Sequence, residues 1–212
     1  GDFLPMQDYD FKSQKLYGVG VDLGISKRDA GNPTVFAVGG KDIQNLLHVV
    51  DVVKKKMDTL QIVETFFEVN ARWNVEVFWV EHGQIWLGIE SVLRQEMENR
   101  GIYLNIETMV PIGDKGVRGR SFQKRHRSGQ MRYNKDAEWY EGYEAELLKF
   151  TGASQATADD QFDATAWLSR GFDNFGMVDV DNFKDEEEWD MERQSKLYRG
   201  GENGGRSAST GY

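Results

Sequence analysis

The sequence predicts an α/β fold in which a mixed β-sheet of about five or more strands is flanked by helices on both faces. The order of predicted elements is three strands, a helix, a strand, a helix, a strand and then further helices. The first three strands are close enough in sequence to form an antiparallel meander, whereas the later strands need helical crossovers. With 212 residues, of which 39% are hydrophobic, the chain is long enough for one domain with a full core.

The first three strands follow a polar start. Residues 1–14 are polar and irregular, so we interpret them as a leader or linker. Strands are predicted over 15–22, 34–39 and 45–53, because apolar residues run there between groups of turn-forming residues. The loop at 26–33 is rich in such residues and joins the first two strands.

The middle of the chain alternates helices with strands. A helix is predicted over 57–73, where apolar residues recur at close to helical spacing. The fourth strand follows at 75–80. A second helix, predicted over 84–100, ends at Gly101, which suits a C-cap, and a fifth strand is predicted over 102–110.

The last part of the domain is helical. A basic loop with a short helix at 119–126 is followed by predicted helices at 136–150 and 159–170. These elements complete a domain that we place at 15–171. Residues 172–212 are predicted to be a flexible tail, first acidic and then rich in Gly and Ser, because they carry too few apolar residues to add much core.

The composition excludes several kinds of site. There are no cysteines, which excludes disulfides, thiolate zinc sites and cysteine nucleophiles, and which fits a reducing compartment. No apolar run approaches eighteen residues and the start lacks a signal-peptide pattern, so we expect a soluble protein without a membrane partner.

Positive charge is concentrated in one segment of an acidic chain. The net charge is −9, yet residues 109–135 hold eight basic residues against one acid. Such a segment is typical of contact with a phosphate backbone, although a solvated face is the alternative. The candidate DNA-binding residues there, together with two basic residues that follow the first strand, are Lys115, Arg118, Arg120, Lys124, Arg125, Arg127, Lys27 and Arg28.

Carboxylates stand at the polar ends of two apolar runs and at the head of the last helix. Asp22 ends the first strand, and Glu81 ends the fourth. Burying a carboxylate there is costly unless a cation or a hydrogen-bond donor meets it. Asp160 and Asp163 share one face of the last helix, and Asp159 comes near. Each alone could be a turn or cap residue, but together they predict a divalent metal site.

Such a site suits phosphodiester hydrolysis. Two Mg²⁺ or Mn²⁺ ions would activate a water molecule and neutralise charge on the leaving oxygen. Asp22 would bridge the ions, Glu81 would hold one of them, and Asp160 or Asp163 would hold the other, with Asp159 a weaker candidate. We therefore predict catalytic roles for Asp22, Glu81, Asp160 and Asp163.

The element order, with an acid on the first strand, at the end of the fourth strand and on the final helix, is that of the ribonuclease H-like fold. The motifs resemble the C-terminal nuclease domain of the large terminase subunit of tailed bacteriophages. The matching segments are Gly18–Gly24, Val77–Glu81, Pro111–Arg120, Ser128–Met131, Glu146–Phe150 and Asp159–Ala164. The position before the acidic pair, often His in that family, is Ala158 here, which leaves a His-assisted mechanism without support.

The resemblance implies an endonuclease that cuts duplex viral DNA with little sequence specificity during genome packaging, in the host cell cytoplasm. It also implies as partners a terminase ATPase domain, the portal and the small terminase subunit. We expect the ATPase domain to be missing from this chain, because no Gly-x-x-x-x-Gly-Lys-Ser/Thr phosphate loop occurs. The alternatives are a Holliday-junction resolvase-like nuclease and a non-catalytic module that docks DNA or the portal.

Overall fold

A computed structural model describes residues 8–10, 12–24, 26–27, 30–113, 115–149 and 159–175. The chain divides into two units, Gly1–Val178 and Asp179–Tyr212, and the second unit lies outside the described residues. The flexible tail predicted from residue 172 onward therefore lies outside them as well, except for its first four residues.

In chain order the strands of the described residues are β1 (Leu16–Asp22), β2 (Ser26–Lys27), β3 (Ala30–Gly31), β4 (Thr34–Lys41), β5 (Leu47–Lys55), β6 (Val77–Glu81), β7 (Ile106–Met109) and β8 (Met131–Tyr133). Six of them form the main sheet, in the order β7, β6, β1, β4, β5, β8. The pairings β1 with β4 and β4 with β5 are antiparallel, while β1 with β6, β6 with β7 and β5 with β8 are parallel. Two two-residue strands, β2 and β3, make a separate small hairpin.

Helices cover both faces of this sheet, as the sequence predicted for a ribonuclease H-like fold. One face packs against the first two helices through a core that includes Phe36, Phe66 and Ile89. The other face packs against the later helices through a core that includes Trp79, Tyr143 and Leu168. In chain order the helices are α1 (Thr59–Trp73), α2 (Gln84–Arg100), α3 (Lys115–Arg118), α4 (Arg120–Arg127), α5 (Tyr140–Lys149) and α6 (Asp160–Phe175).

The last helix runs antiparallel to the first strand and lies directly on it. A Cβ atom added at Gly20 would lie 2.1 Å from the carbonyl oxygen of Ala164, and one added at Gly18 would lie 3.1 Å from the ring of Phe172. Because lower-numbered α6 residues face higher-numbered β1 residues, the first turn of α6 lies at the end of β1 that carries Asp22. The glycines allow this approach because a larger side chain would occupy the space of the helix backbone.

The domain boundary predicted at residue 171 falls inside α6. Phe172 is 1% exposed and packs against Trp79, with ring centroids 4.9 Å apart. Asp173 accepts hydrogen bonds from Arg125 and Ser121. The last helix therefore continues to Phe175, and its final turn belongs to the domain.

Two other predictions differ in extent, and one strand was not predicted. The fifth predicted strand shrinks to Ile106–Met109, at one edge of the sheet, where two of its four residues are exposed. The helix predicted to start at Asp136 begins at Tyr140, because residues 134–139 form turns. A sixth strand, β8, pairs with β5 along only three residues, which is too short for a periodicity signal.

Within the described residues, no helix combines the length and apolar content needed to cross a bilayer.

Candidate active site

Two predicted carboxylates lie side by side at one end of the sheet. In the parallel pairing of β1 with β6, Val21 lies opposite Val80, so Asp22 and Glu81 occupy the next positions of adjacent strands. Side chains alternate along a strand, so Asp22 faces the same side as Gly20, where α6 lies. Both residues are partly exposed, and both line one cleft of about 360 Å³ at the N-terminus of α2.

The third group of acids opens α6 at the same end of the sheet. Asp160 and Asp163 lie in its first turn, and the amide of Asp163 donates to the carbonyl of Asp159 over 2.9 Å. Burial raises the pKa of the Asp160 carboxyl above its ordinary value, while the ammonium group of Lys54 lowers it. The carboxylates of Glu146, Asp159 and Asp163 raise it further.

The raised pKa has a direct consequence for cation binding. Without a bound cation, ionised Asp160 is disfavoured, so this group lowers folding stability as pH rises from its ordinary pKa to its raised folded-state pKa, and the cost is complete above that pKa. A divalent cation favours the ionised carboxylate and would offset that cost. Carboxylate oxygens are also the ligands that Mg²⁺ prefers. The donor set at this end of the sheet therefore fits a hard divalent cation.

The described residues do not, however, form a finished metal cage. Among them, no group of three or more His, Cys, Asp and Glu side chains is arranged to hold a metal ion. The structure brings Asp22 and Glu81 to one cleft, and it places Asp159, Asp160 and Asp163 together at the start of α6. The metal-binding and catalytic roles of all five stay predictions.

Glu146 and Lys54 belong to this region. Glu146 opens one of the segments that resemble the terminase family, but neither residue was predicted to be functional. Lys54 pairs across the sheet with Val35, which itself pairs with Asp22. Its ammonium group lies 2.8 Å from Oε2 of Glu146 on α5. The sequence did offer a signal for Glu146, because this carboxylate lies on the same side of α5 as Tyr143 and Leu147, which are buried.

The basic segment presents a row of cations to solvent. Arg120, Lys124 and Arg127 are exposed, and they follow one another at helical spacing along α4. With Gln123 and Ser128 they line a shallow depression of about 650 Å³. We call Arg120, Lys124 and Arg127 the basic face.

The start of α4 lies against the start of α6. A Cβ atom added at Gly119 would lie 2.3 Å from the ring of Phe162, so the chain there packs directly on the first turn of α6. Arg118 and Arg120 flank this contact. The start of α4 therefore lies beside the Phe162 ring, and Ser121 in its first turn contacts Ser169 and Asp173 further along α6.

Arg125 and His126 lie on the opposite, buried side of α4. Arg125 is 8% exposed and forms an ion pair with Asp173 of α6. His126 is 5% exposed, and its Nδ1 lies 3.0 Å from the hydroxyl of Tyr133. Arg125 was predicted to bind DNA, and His126 follows it in the same basic segment. Both instead pack α4 against the domain, since a helix with basic residues at consecutive positions must direct some of them inward.

The remaining candidate cations are only partly described. Arg28 lies outside the described residues, and of Lys27 and Lys115 only the backbone is described. Arg118 is half-buried, and its Nε has no hydrogen-bond partner among the described residues. The predicted DNA contacts of these four residues stay predictions.

The fold is similar to solved nuclease domains of phage large terminases. The magnesium-bound large terminase nuclease of the thermophilic phage G20c aligns with a TM-score of 0.52 and 14% sequence identity, over 77% of this chain and 84% of that chain. The nuclease domain of the large terminase subunit gp2 of the bacterial virus Sf6 aligns with a TM-score of 0.55 and 8% identity, over 74% of this chain and 89% of that chain.

A third similar structure is the large terminase of a thermophilic bacteriophage in complex with ADP, with a TM-score of 0.51 and 15% identity. That alignment covers 76% of this chain and 40% of the other. A comparison with protein-family models found no match, and neither did a search of curated proteins. Sequence identities of 8–15% support similarity of fold alone. This chain therefore has the ribonuclease H-like fold seen in the nuclease domains of phage large terminase subunits.

Proposed function

We propose that this chain is a divalent-metal-dependent endonuclease that cuts duplex DNA, as the nuclease part of a viral genome-packaging terminase. The observation that carries the proposal is the placement of Asp22 and Glu81 on adjacent strands, in one cleft, at the sheet end where α6 begins with its own acids. The similar domain of phage G20c was solved with bound magnesium, which supports a divalent cation as the cofactor.

The proposed site residues are the ligands of the cations. Asp22, Glu81 and Asp160 would hold two divalent cations, with Asp163 as a further ligand and Asp159 a weaker candidate. When bound, such ions activate a water molecule and neutralise charge on the leaving oxygen of a phosphodiester. The protein holds its carboxylates on rigid strands and on a helix that packs directly on β1, so their positions are fixed before DNA arrives.

The substrate is inferred from charge. The basic face offers three exposed cations in a row on the helix that packs against α6, within a chain of net charge −9. Cations in such a row bind backbone phosphates, which are spaced regularly and carry no sequence information. We therefore expect tight, salt-sensitive binding of duplex DNA with little sequence preference.

The partners are inferred from the similarity to terminases. The aligned part makes up 40% of a large terminase that was solved with ADP, which supports an ATPase domain as a partner of this nuclease. The portal, the small terminase subunit and a location in the host cell cytoplasm are further parts of the proposal, and they rest on the resemblance alone.

The test of the activity is plasmid digestion. We expect supercoiled plasmid to be nicked and then linearised with Mg²⁺ or Mn²⁺, and to stay intact with EDTA, because the carboxylates cannot activate water without a cation. A four-way junction in the same assay distinguishes the resolvase alternative, which requires branched DNA for cleavage. Plasmid that stays intact with both metals at high protein concentration would contradict the proposal.

The basic face gives a second prediction. Arg120→Ala, Lys124→Ala and Arg127→Ala together should weaken duplex DNA binding and lower the slope of log affinity against log salt by about three units, roughly one for each lost phosphate contact. Fluorescence anisotropy at several salt concentrations measures both quantities. Mn²⁺ affinity should not change, because none of the three is a proposed ligand.

The matched control removes cations from the other face of the sheet. Arg72 on α1 and Arg94 on α2 have side chains that are 71% and 63% exposed. We expect the double alanine variant to retain the wild-type salt slope. If both variants lower the slope equally, DNA binding responds to net charge alone and the basic face is an ordinary solvated surface.

A further inference from the structure

We propose that Glu146 is a positioning residue of the active site, which holds the first turn of α6 and thereby sets where Asp160 and Asp163 stand opposite Asp22. This inference deepens the proposed function and rests on it. Glu146 itself lies on α5, its side chain is 9% exposed, and it is fourteen positions away from Asp160 in the sequence.

The carboxylate of Glu146 caps α6 from another helix. Its Oε1 accepts hydrogen bonds from the amides of Gln161, over 2.7 Å, and of Phe162, over 3.4 Å. Free amides at these positions of a helix are usually satisfied by the side chain of the N-cap residue. A carboxylate is the strongest such acceptor, because it also meets the positive end of the helix dipole.

The second oxygen of Glu146 ties the same turn to the sheet. Oε2 accepts from the side-chain amide of Gln161 over 2.5 Å and from the ammonium group of Lys54 over 2.8 Å. Lys54 lies on β5, in the row of paired residues that runs through Val35 to Asp22. One carboxylate thus links the start of α6 to the strand row that carries the first acid.

A second polar contact fixes the register between α5 and α6. Tyr143 precedes Glu146 by three residues on α5, and its hydroxyl lies 2.9 Å from Oγ1 of Thr165. Thr165 also donates to the carbonyl of Gln161 over 2.7 Å. Both Tyr143 and Thr165 are fully buried, so a shift of α6 along α5 would leave polar atoms without partners.

Glu146 is therefore engaged on both oxygens and is not offered as a metal ligand. Glu146 would affect catalysis by placing Asp160. Gln161, which donates hydrogen bonds to Glu146, directly follows Asp160 in the chain. Small displacements of catalytic groups have large effects on rate, and partners that orient metal ligands typically change metal affinity or activity by 10- to 100-fold.

The test uses two substitutions of Glu146, one that removes the carboxylate and one that only shortens the side chain. Glu146→Ala removes every contact, while Glu146→Asp keeps the charge but is one methylene too short to reach α6 from α5. We expect amide hydrogen exchange at Gln161 and Phe162 to accelerate by about tenfold or more in both variants. We also expect Mn²⁺ affinity and kcat to fall by about tenfold, with KM for DNA unchanged.

Glu141→Ala is the matched control, since Glu141 lies on the same helix and is exposed. It should leave every measurement at the wild-type value. The proposal is overturned if the two α6 amides keep their protection in Glu146→Ala, if Glu146→Asp behaves like wild type, or if Mn²⁺ affinity and kcat do not change. Should wild-type protein neither bind Mn²⁺ nor cut DNA, the proposed function fails, and hydrogen exchange still decides whether Glu146 holds α6.

Discussion

Asp22→Asn should lower metal-dependent DNA cleavage by about 1,000-fold or more and leave the melting temperature unchanged or slightly raised. Asparagine keeps the size of the side chain and removes its charge, so a bound cation would lose its central ligand. The transition state would then lose several kcal/mol of charge stabilisation, and roughly 1.4 kcal/mol corresponds to a tenfold change in rate. In the metal-free protein the change relieves repulsion with Glu81 on the adjacent strand. Plasmid cleavage rates and differential scanning calorimetry measure the two effects.

Asp51→Asn is the control for this prediction, because it makes the same substitution elsewhere in the same sheet. Asp51 accepts a hydrogen bond from Trp73 and lies 3.5 Å from the guanidinium of Arg72. Only the arginine of this pair is exposed, since the Asp51 side chain is 13% exposed. Asparagine keeps an oxygen that can accept from Trp73, so the loss should be about 1 kcal/mol, and we expect full activity and a melting temperature lower by no more than about 4 °C. If Asp22→Asn instead unfolds the protein and Asp51→Asn matches it in activity, Asp22 is a structural residue.

Gly20→Ala should destabilise the domain by about 3 kcal/mol and lower the melting temperature by roughly 6–12 °C. The added methyl group would lie 2.1 Å from the Ala164 carbonyl oxygen and 2.5 Å from the Leu168 amide nitrogen. These are backbone atoms, so α6 itself must move away from β1. Cleavage should fall as well, even where the protein is still folded, because Asp160 moves with the helix. Thermal unfolding and cleavage at 20 °C check both parts.

Gly88→Ala is the control for Gly20→Ala. The same substitution should raise the melting temperature here and not lower it. Gly88 lies within α2, and apart from its neighbours and the backbone of its own helix turn, no described atom would lie within 4 Å of an added Cβ. Alanine gains about 1 kcal/mol over glycine in a helix, so we expect a melting temperature higher by roughly 2–4 °C with unchanged cleavage. Equal losses in both variants would mean that Gly20 is an ordinary strand glycine without close contact to α6.

Much of the fold follows from local sequence patterns. Long apolar runs and helical spacing are strong signals, and β1, β4, β5, α1, β6 and α2 lie close to their predicted positions. The three-residue strand β8 gives no such signal, because its pairing with β5 depends on tertiary packing. The end of α6 was predicted too early because Phe172 and Asp173 gain their roles only through distant partners, Trp79 and Arg125.

The site is predictable to a similar degree. Asp22 and Glu81 were identified because each ends an apolar strand, and the structure places them on neighbouring strands. Burial of Arg125 was not predictable from charge density, since local sequence does not say which side of a short helix faces the core. Glu146 was missed for the same reason, because its partners lie fifteen and sixteen residues later on α6.

The most direct test of the proposed metal centre is anomalous diffraction from crystals soaked in Mn²⁺. We predict manganese peaks in the cleft between the ends of β1 and β6, coordinated by Asp22, by Glu81 and by a carboxylate from the first turn of α6, with Asp160 the first choice. Peaks that lie only elsewhere on the surface, in crystals of a protein that cuts plasmid DNA with Mn²⁺, would contradict this assignment of the active site.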